Sequence, residues 1–164
     1  MPLARRALLA LLAAALIAIA GCGSDSEEPA SKATPEASAT PARTKPEVTV
    51  PAGKPPKKLV IKDIEKGTGA TAEPGKNVTV QYVGVSALNG RQFDASWDRG
   101  EPFSFQLGSG GVIKGWDEGV KGMKVGGRRQ LVIPPDLAYG PDGSPPTIGP
   151  NETLVFVIDL LSVD

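Results

Sequence analysis

Val112-Ile113-Lys114-Gly115-Trp116-Asp117-Glu118-Gly119-Val120, running on through Met123 to Gly126, is the stretch whose reading decides the fold. Val112, Ile113, Trp116 and Val120 recur at helical spacing, so one short helix turns all four toward a single surface. Gly111, Gly115 and Gly119 make it a poor helix by propensity, each costing about 1 kcal/mol against alanine. Something outside the helix must hold it, and a curved sheet packed on its apolar stripe would do so.

Strands are expected on both sides of this helix. Leu59-Val60-Ile61 opens one, and Lys66-Gly67-Thr68-Gly69 ends it in a glycine turn. Asn77 to Val85 alternates cleanly, with Val78, Val80 and Tyr82 on one face. Asn89-Gly90 is a hairpin signal, followed by Phe93 and Asp94 and by a loop carrying Trp97, Asp98, Arg99 and Gly100. Phe103, Phe105 and Leu107 alternate again. Leu131 and Ile133 mark a strand stopped by Pro134-Pro135, because proline cannot donate to a ladder. Thr153 to Val163 is the last strand: Leu154, Phe156, Ile158 and Leu160 occupy one face, and Val155, Val157 and Leu161 the other. Apolar residues on both faces predict a central strand covered on both sides. The sum is an α+β domain over residues 57–164, a strongly curved antiparallel sheet of about five strands wrapped around one short helix. The chain has no internal repeats.

Tyr82, Phe93, Phe103, Phe105, Trp116, Tyr139 and Phe156 come from strands, helix and loop alike, all on inward or rim phases. A small core would use Leu, Ile and Val, since each buried hydroxyl needs a partner. These rings around a glycine-rich helix predict a lined pocket. The chain has no histidine and one cysteine, which argues against a transition-metal site and against Ser-His-Asp or Cys-His catalysis. No metal and no cofactor are expected.

The N-terminus carries a different message. Arg5-Arg6 precede an apolar run from Ala7 to Ala20, too short for a membrane span of about 20 residues and suited to an export signal. Ala18-Ile19-Ala20 fits an ordinary cleavage site, which would release a secreted protein. Ile19-Ala20-Gly21-Cys22 resembles the bacterial lipobox, and a sole cysteine at that position favours lipidation of Cys22 and a signal peptide over residues 1–21. The export route stays open. Without the signal the chain holds 16 basic and 18 acidic residues, a charge that points to neither nucleic acid nor an electrostatic membrane surface. Residues 22–56, rich in Pro, Ala, Ser, Thr, Glu and Lys and free of aromatics, are expected as a disordered tether.

Read together, VTVQYVG (Val78–Gly84), Phe93-Asp94, VIKGWDEGV (Val112–Val120), MKVG (Met123–Gly126), PDLAYG (Pro135–Gly140) and NETLVFVIDLL (Asn151–Leu161) resemble the FKBP-type peptidyl-prolyl cis-trans isomerases. The resemblance covers the domain from about Lys57 to Asp164 with order and spacing kept. It implies an enzyme that isomerises the bond preceding proline and binds macrolides such as tacrolimus and rapamycin in the same pocket. It places Trp116 at the pocket floor, with Tyr82, Phe93, Phe103, Val112, Ile113, Ile148 and Phe156 around it. It gives the Tyr139 hydroxyl and the Ile113 amide to substrate carbonyls, and sets Asp94 at the edge, held by Tyr82 and Arg99. Gly111, Ser144 and Thr147 depart from the animal pattern, where glutamate, histidine and isoleucine are common. These departures bear on substrate preference and macrolide affinity more than on activity.

The implied chemistry suits a chain without histidine. Resonance gives the peptide C–N bond a rotational barrier of about 18–20 kcal/mol. The twisted amide is less dipolar, so a dry aromatic pocket penalises the planar state more. Expected partners are proline-containing polypeptides, met by a monomer anchored to the outer face of the bacterial membrane and assisting exported proteins to fold. Two other classes stay in view, a proline-binding or chaperone module that has lost catalysis and a wall-associated structural lipoprotein.

Overall fold

A computed structural model describes residues 43–164. The apolar N-terminal run, Cys22 and the tether up to residue 42 lie outside the described residues. Six strands form one antiparallel sheet: β1 (Val60–Glu65), β2 (Asn77–Ser86), β3 (Gln92–Ala95), β4 (Phe103–Gln106), β5 (Arg128–Ile133) and β6 (Leu154–Val163). Their order is β1-β5-β6-β2-β3, and β4 also pairs with β2. Sequence reading expects about five strands; the sixth arises because β2 is long enough to take two partners on one edge. Its first half pairs with β4 (Val78 opposite Phe105) and its second half with β3 (Val83 opposite Ala95). Between those partners the chain makes one helical turn, α1 (Ser96–Arg99), in the stretch expected as a loop. Ser96 pins that turn to β2, its buried Oγ accepting from the Tyr82 N–H at 2.8 Å.

The main helix, α2 (Lys114–Val120), starts two residues later than the apolar pattern, because Ile113 is still extended at φ −60°, ψ 146°. Its glycines have a packing reason. A Cβ on Gly115 would lie 2.4 Å from Ile133 Cγ2, and one on Gly119 2.5 Å from Leu131 Cδ1. The helix backbone therefore rests directly on β5, and the propensity lost is offset by that close approach. Trp116 and Val120 complete a core with Val78, Val80, Tyr82, Leu131, Ile133, Phe156, Ile158 and Leu160.

Strand β6 is central, and every residue from Leu154 to Leu160 is buried. What covers its second face is the end of the expected tether. Residues 43–56 contain no helix or strand, yet Val48 and Val50 pack on the cluster of Val83, Val85, Val132 and Val155. Arg128 donates to the Thr44 carbonyl (3.0 Å) and Gln130 to the Thr49 carbonyl (2.8 Å). Arg43 pairs with Glu65 at 2.9 Å and with Asp159, itself only 1% exposed, at 3.0 Å. Residues 43–56 are thus a strap on the outer face of the sheet rather than free coil. Composition argues against a core in this stretch, but apolar surface offered by the sheet replaces one. The period-two pair Val48 and Val50 is the signal for it.

Candidate active site

The inner face of the curved sheet opens into a pocket of about 210 Å³ lined by Tyr82, Phe93, Asp94, Phe103, Gly111, Val112, Ile113, Trp116, Tyr139 and Phe156. Four strands, a helix and a loop build it. β2, β3, β4 and β6 contribute Tyr82, Phe93 with Asp94, Phe103 and Phe156, α2 contributes Trp116 with Val112 and Ile113 just ahead of its first turn, and the loop after β5 brings Tyr139. Trp116, 4% exposed, is ringed by edges: Tyr82 at 5.0 Å and 83°, and Phe156 at 5.3 Å and 87°. Phe93 stands edge-on to Phe156 at 5.5 Å. Such T-shaped pairs set ring positions more strictly than aliphatic packing does. The Trp116 indole N–H is buried and has no partner among the described residues.

Polar groups gather on one side. The Tyr82 hydroxyl donates to Asp94 and accepts from Arg99 Nη2 at 2.9 Å. Arg99 donates to the other oxygen of Asp94, and its guanidinium carbon lies 5.6 Å from the Tyr82 ring centre. Burial, and then the hydrogen bond to Asp94, push the Tyr82 hydroxyl above its ordinary pKa; the Arg99 bond opposes them. Burial also raises that of Tyr139, with the Asp94 charge adding to it. Both phenols are therefore neutral donors at physiological pH. The Tyr139 hydroxyl and the Ile113 N–H make no hydrogen bond among the described residues, so both are free to donate to a guest.

Most of the residues expected at the site converge there, and two stand apart. Arg99 reaches the pocket only through Asp94 and Tyr82. Ile148 does not line it: at 5% exposure it is buried in the core, because the 144–148 turn is closed by Ile148 N–H to Ser144 carbonyl and the reverse bond, both 2.9 Å. Of the seven rings, Phe105 lies behind the lining, 5.6 Å from Trp116. Gly111 is in the lining, whereas Thr147 lies in a neighbouring cleft.

Two contributors escape a reading of side-chain chemistry. Gly84 leaves room for the pocket wall, since a Cβ there would lie 2.7 Å from both Phe156 Cε1 and Phe93 Cζ. A glycine inside a strand is the signal for such an approach. Asp117 accepts from the Gly108 and Gly110 amides at 2.8 and 3.1 Å, tying the loop that carries Gly111 to α2.

The sequence profile of the FKBP-type peptidyl-prolyl cis-trans isomerases matches residues 68–161. The chain belongs to this family. It is similar to an FK506-binding protein of Streptomyces anulatus, 58% identical over 120 residues that span 73% of this chain and 97% of that protein. A probable FK506-binding protein of Corynebacterium glutamicum is 55% identical over 118 residues, 72% and 98% of the two chains. The crystal structure of FkpA from Escherichia coli matches with a TM-score of 0.60 and 49% identity over 65% of this chain, and the match spans 48% of FkpA. The two bacterial alignments are longer than the 108 residues from Lys57 to Asp164, so the region shared with these FKBP-type relatives reaches into the strap.

Proposed function

We propose that this FKBP-type isomerase works by receiving a prolyl residue in the aromatic pocket and letting its preceding amide twist there. The observation that carries the reading is the convergence of six rings with two unengaged donors, Tyr139 O–H and Ile113 N–H, at one opening. The proline ring packs over Trp116. The two donors take substrate carbonyls and fix the chain in a turn from which rotation is short. Twisting removes amide resonance and leaves the amide less dipolar, so dry aromatic walls favour the twisted state relative to the planar one. No proton moves. Asp94 is held by Tyr82 and Arg99 as a fixed carboxylate beside the twisting bond, and each 1.36 kcal/mol by which the site favours the transition state is worth tenfold in rate.

The same pocket accepts macrolides of the tacrolimus and rapamycin type, as the names of the FK506-binding relatives suggest. The N-terminal sequence supports export and lipidation at Cys22, which puts the isomerase at the outer face of a bacterial membrane among newly exported chains. Cis-to-trans rates of short Xaa-Pro peptides test the catalytic reading, measured with the full chain, with and without rapamycin, alongside Tyr139→Phe and Asp94→Val. Acceleration that rapamycin blocks and both substitutions weaken is the expected result. No acceleration, with rapamycin still bound, would make the pocket a binding module. Incorporation of labelled palmitate into the wild type but not into Cys22→Ala tests the anchor.

A further inference from the structure

Beside the aromatic pocket lies a larger cleft of about 370 Å³ that shares Phe93 with it. One wall is the turn between β2 and β3, with Leu88 and Arg91. The other is the loop after Tyr139, with Pro146, Thr147 and Glu152. Both walls are set in advance. The turn is closed by Gly90 N–H to the Ser86 carbonyl (2.8 Å) and Ser86 N–H to the Arg91 carbonyl (2.9 Å). The loop is closed by Asn151 N–H to the Gly140 carbonyl at 2.9 Å and by Gly149 N–H to the Glu152 carboxylate at 2.6 Å.

Two features of the cleft stand out from the rest of the surface. Leu88 is 84% exposed, the most exposed of the large apolar side chains in the described residues. Arg91 is the one arginine among the described residues without an ion pair; Arg43, Arg99, Arg128 and Arg129 each hold a carboxylate. The acid on the opposite wall, Glu152, bonds the Gly149 amide and makes no ion pair with Arg91. The cleft therefore offers an unspent cation and an apolar shelf, joined through one ring to the place where a proline would sit.

We infer that this cleft is a subsite for the polypeptide flanking the proline, selecting substrates with an acidic side chain a few residues away through Arg91 and an apolar one against Leu88. The inference rests on the proposed isomerase reading. A chain leaving the pocket past Phe93 advances about 3.3–3.6 Å per extended residue, so a few residues enter the cleft. An exposed charge pair of this kind changes kcat/KM roughly two- to fivefold, and salt screens it.

The test uses the full chain and a scan of twelve-residue peptides carrying Glu, Gln or Lys at each position up to four from a central proline, on either side. Each rate is divided by that of a four-residue peptide too short to reach the cleft. Expected is a Glu-over-Lys preference of two- to fivefold at positions on one side only, lost at 0.5 M salt and inverted in Arg91→Glu. Leu88→Ser lowers the long-to-short ratio for peptides with an apolar residue on that side. A Glu-over-Lys preference spread over both sides, or one that Arg91→Glu leaves intact, overturns the subsite. The four-residue peptide separates this from the catalytic reading: if it is not accelerated, the catalytic reading falls. Equilibrium binding of the Glu and Lys peptides to wild type and Arg91→Glu then decides the cleft.

Discussion

Gly84→Ala probes how tightly the pocket wall is set. The added methyl would lie 2.7 Å from Phe156 Cε1, 2.7 Å from Phe93 Cζ and 2.9 Å from Phe93 Cε2. Carbon atoms in contact settle about 3.5–4.0 Å apart, so each overlap is about 0.6–1.3 Å. Phe156, 4% exposed with Trp116 edge-on at 5.3 Å, has nowhere to withdraw. Half-buried Phe93 is the ring that moves, away from its edge-on contact and toward the cleft. Overpacking of this kind costs about 1–3 kcal/mol. For a domain of this size that lowers Tm by about 4–12 °C. An ångström of misplacement at a site can cost up to about a hundredfold in rate, so kcat/KM is expected to fall at least tenfold. Gly122→Ala is the control: its φ of +76° makes alanine costly through the backbone, but nothing lies within 4 Å of the new Cβ. Thermal unfolding followed by near-ultraviolet circular dichroism, with peptide isomerisation on the same samples, separates the two. Gly84→Ala with wild-type Tm and activity, or with an activity loss no larger than that of Gly122→Ala, would refute the reasoning.

Both tyrosines of the chain should ionise above the ordinary phenol value near 10, read as phenolate absorbance at 295 nm; a tyrosine titrating at or below 10 contradicts the buried geometry. Because the folded pKa of Tyr82 is raised, its contribution to stability is complete below pH 10 and is lost as pH rises through the folded value, so the difference in urea midpoint between wild type and Tyr82→Phe should change with pH in that alkaline window. With no histidine in the chain, kcat/KM for a neutral peptide should be flat between about pH 6 and 9, and a bell-shaped profile would mean that a proton transfer takes part. Arg128→Met removes two of the three hydrogen bonds that reach buried Asp159 and should cost about 3–5 kcal/mol by urea unfolding, most of it recovered in Arg128→Met/Asp159→Leu.

Much of this molecule is legible in one dimension because local pattern and tertiary need agree. The alternation of Val78, Val80 and Tyr82 and the helical spacing of Trp116 and Val120 turn toward the same core, and the rings that interrupt an aliphatic pattern line the pocket. The failures have a common cause, which is that the deciding contact lies far away in sequence. Ile148 looks like pocket wall until the 144–148 turn folds it inward. Glycines at 115 and 119 read as poor helix formers, and only the aliphatic chains pressed against them explain their presence. The strap is invisible to composition because its partner surface, Val83, Val85, Val132 and Val155, belongs to other segments.

That strap also determines how the domain would bear mechanical load. Among the described residues, tension arriving from the N-terminal side meets Arg43 before any strand. There it is shared among Glu65, the Gly126 carbonyl and Asp159 on central strand β6. Without the strap, the pull would enter at β1, an edge strand held only by β5, and peel its hydrogen bonds one at a time. With it, force also enters at central strand β6, where the Arg43 ion pairs and the packing of Val48 and Val50 must yield together. Pulled from its N-terminal side, the described domain is built to resist as a block instead of unzipping from its edge.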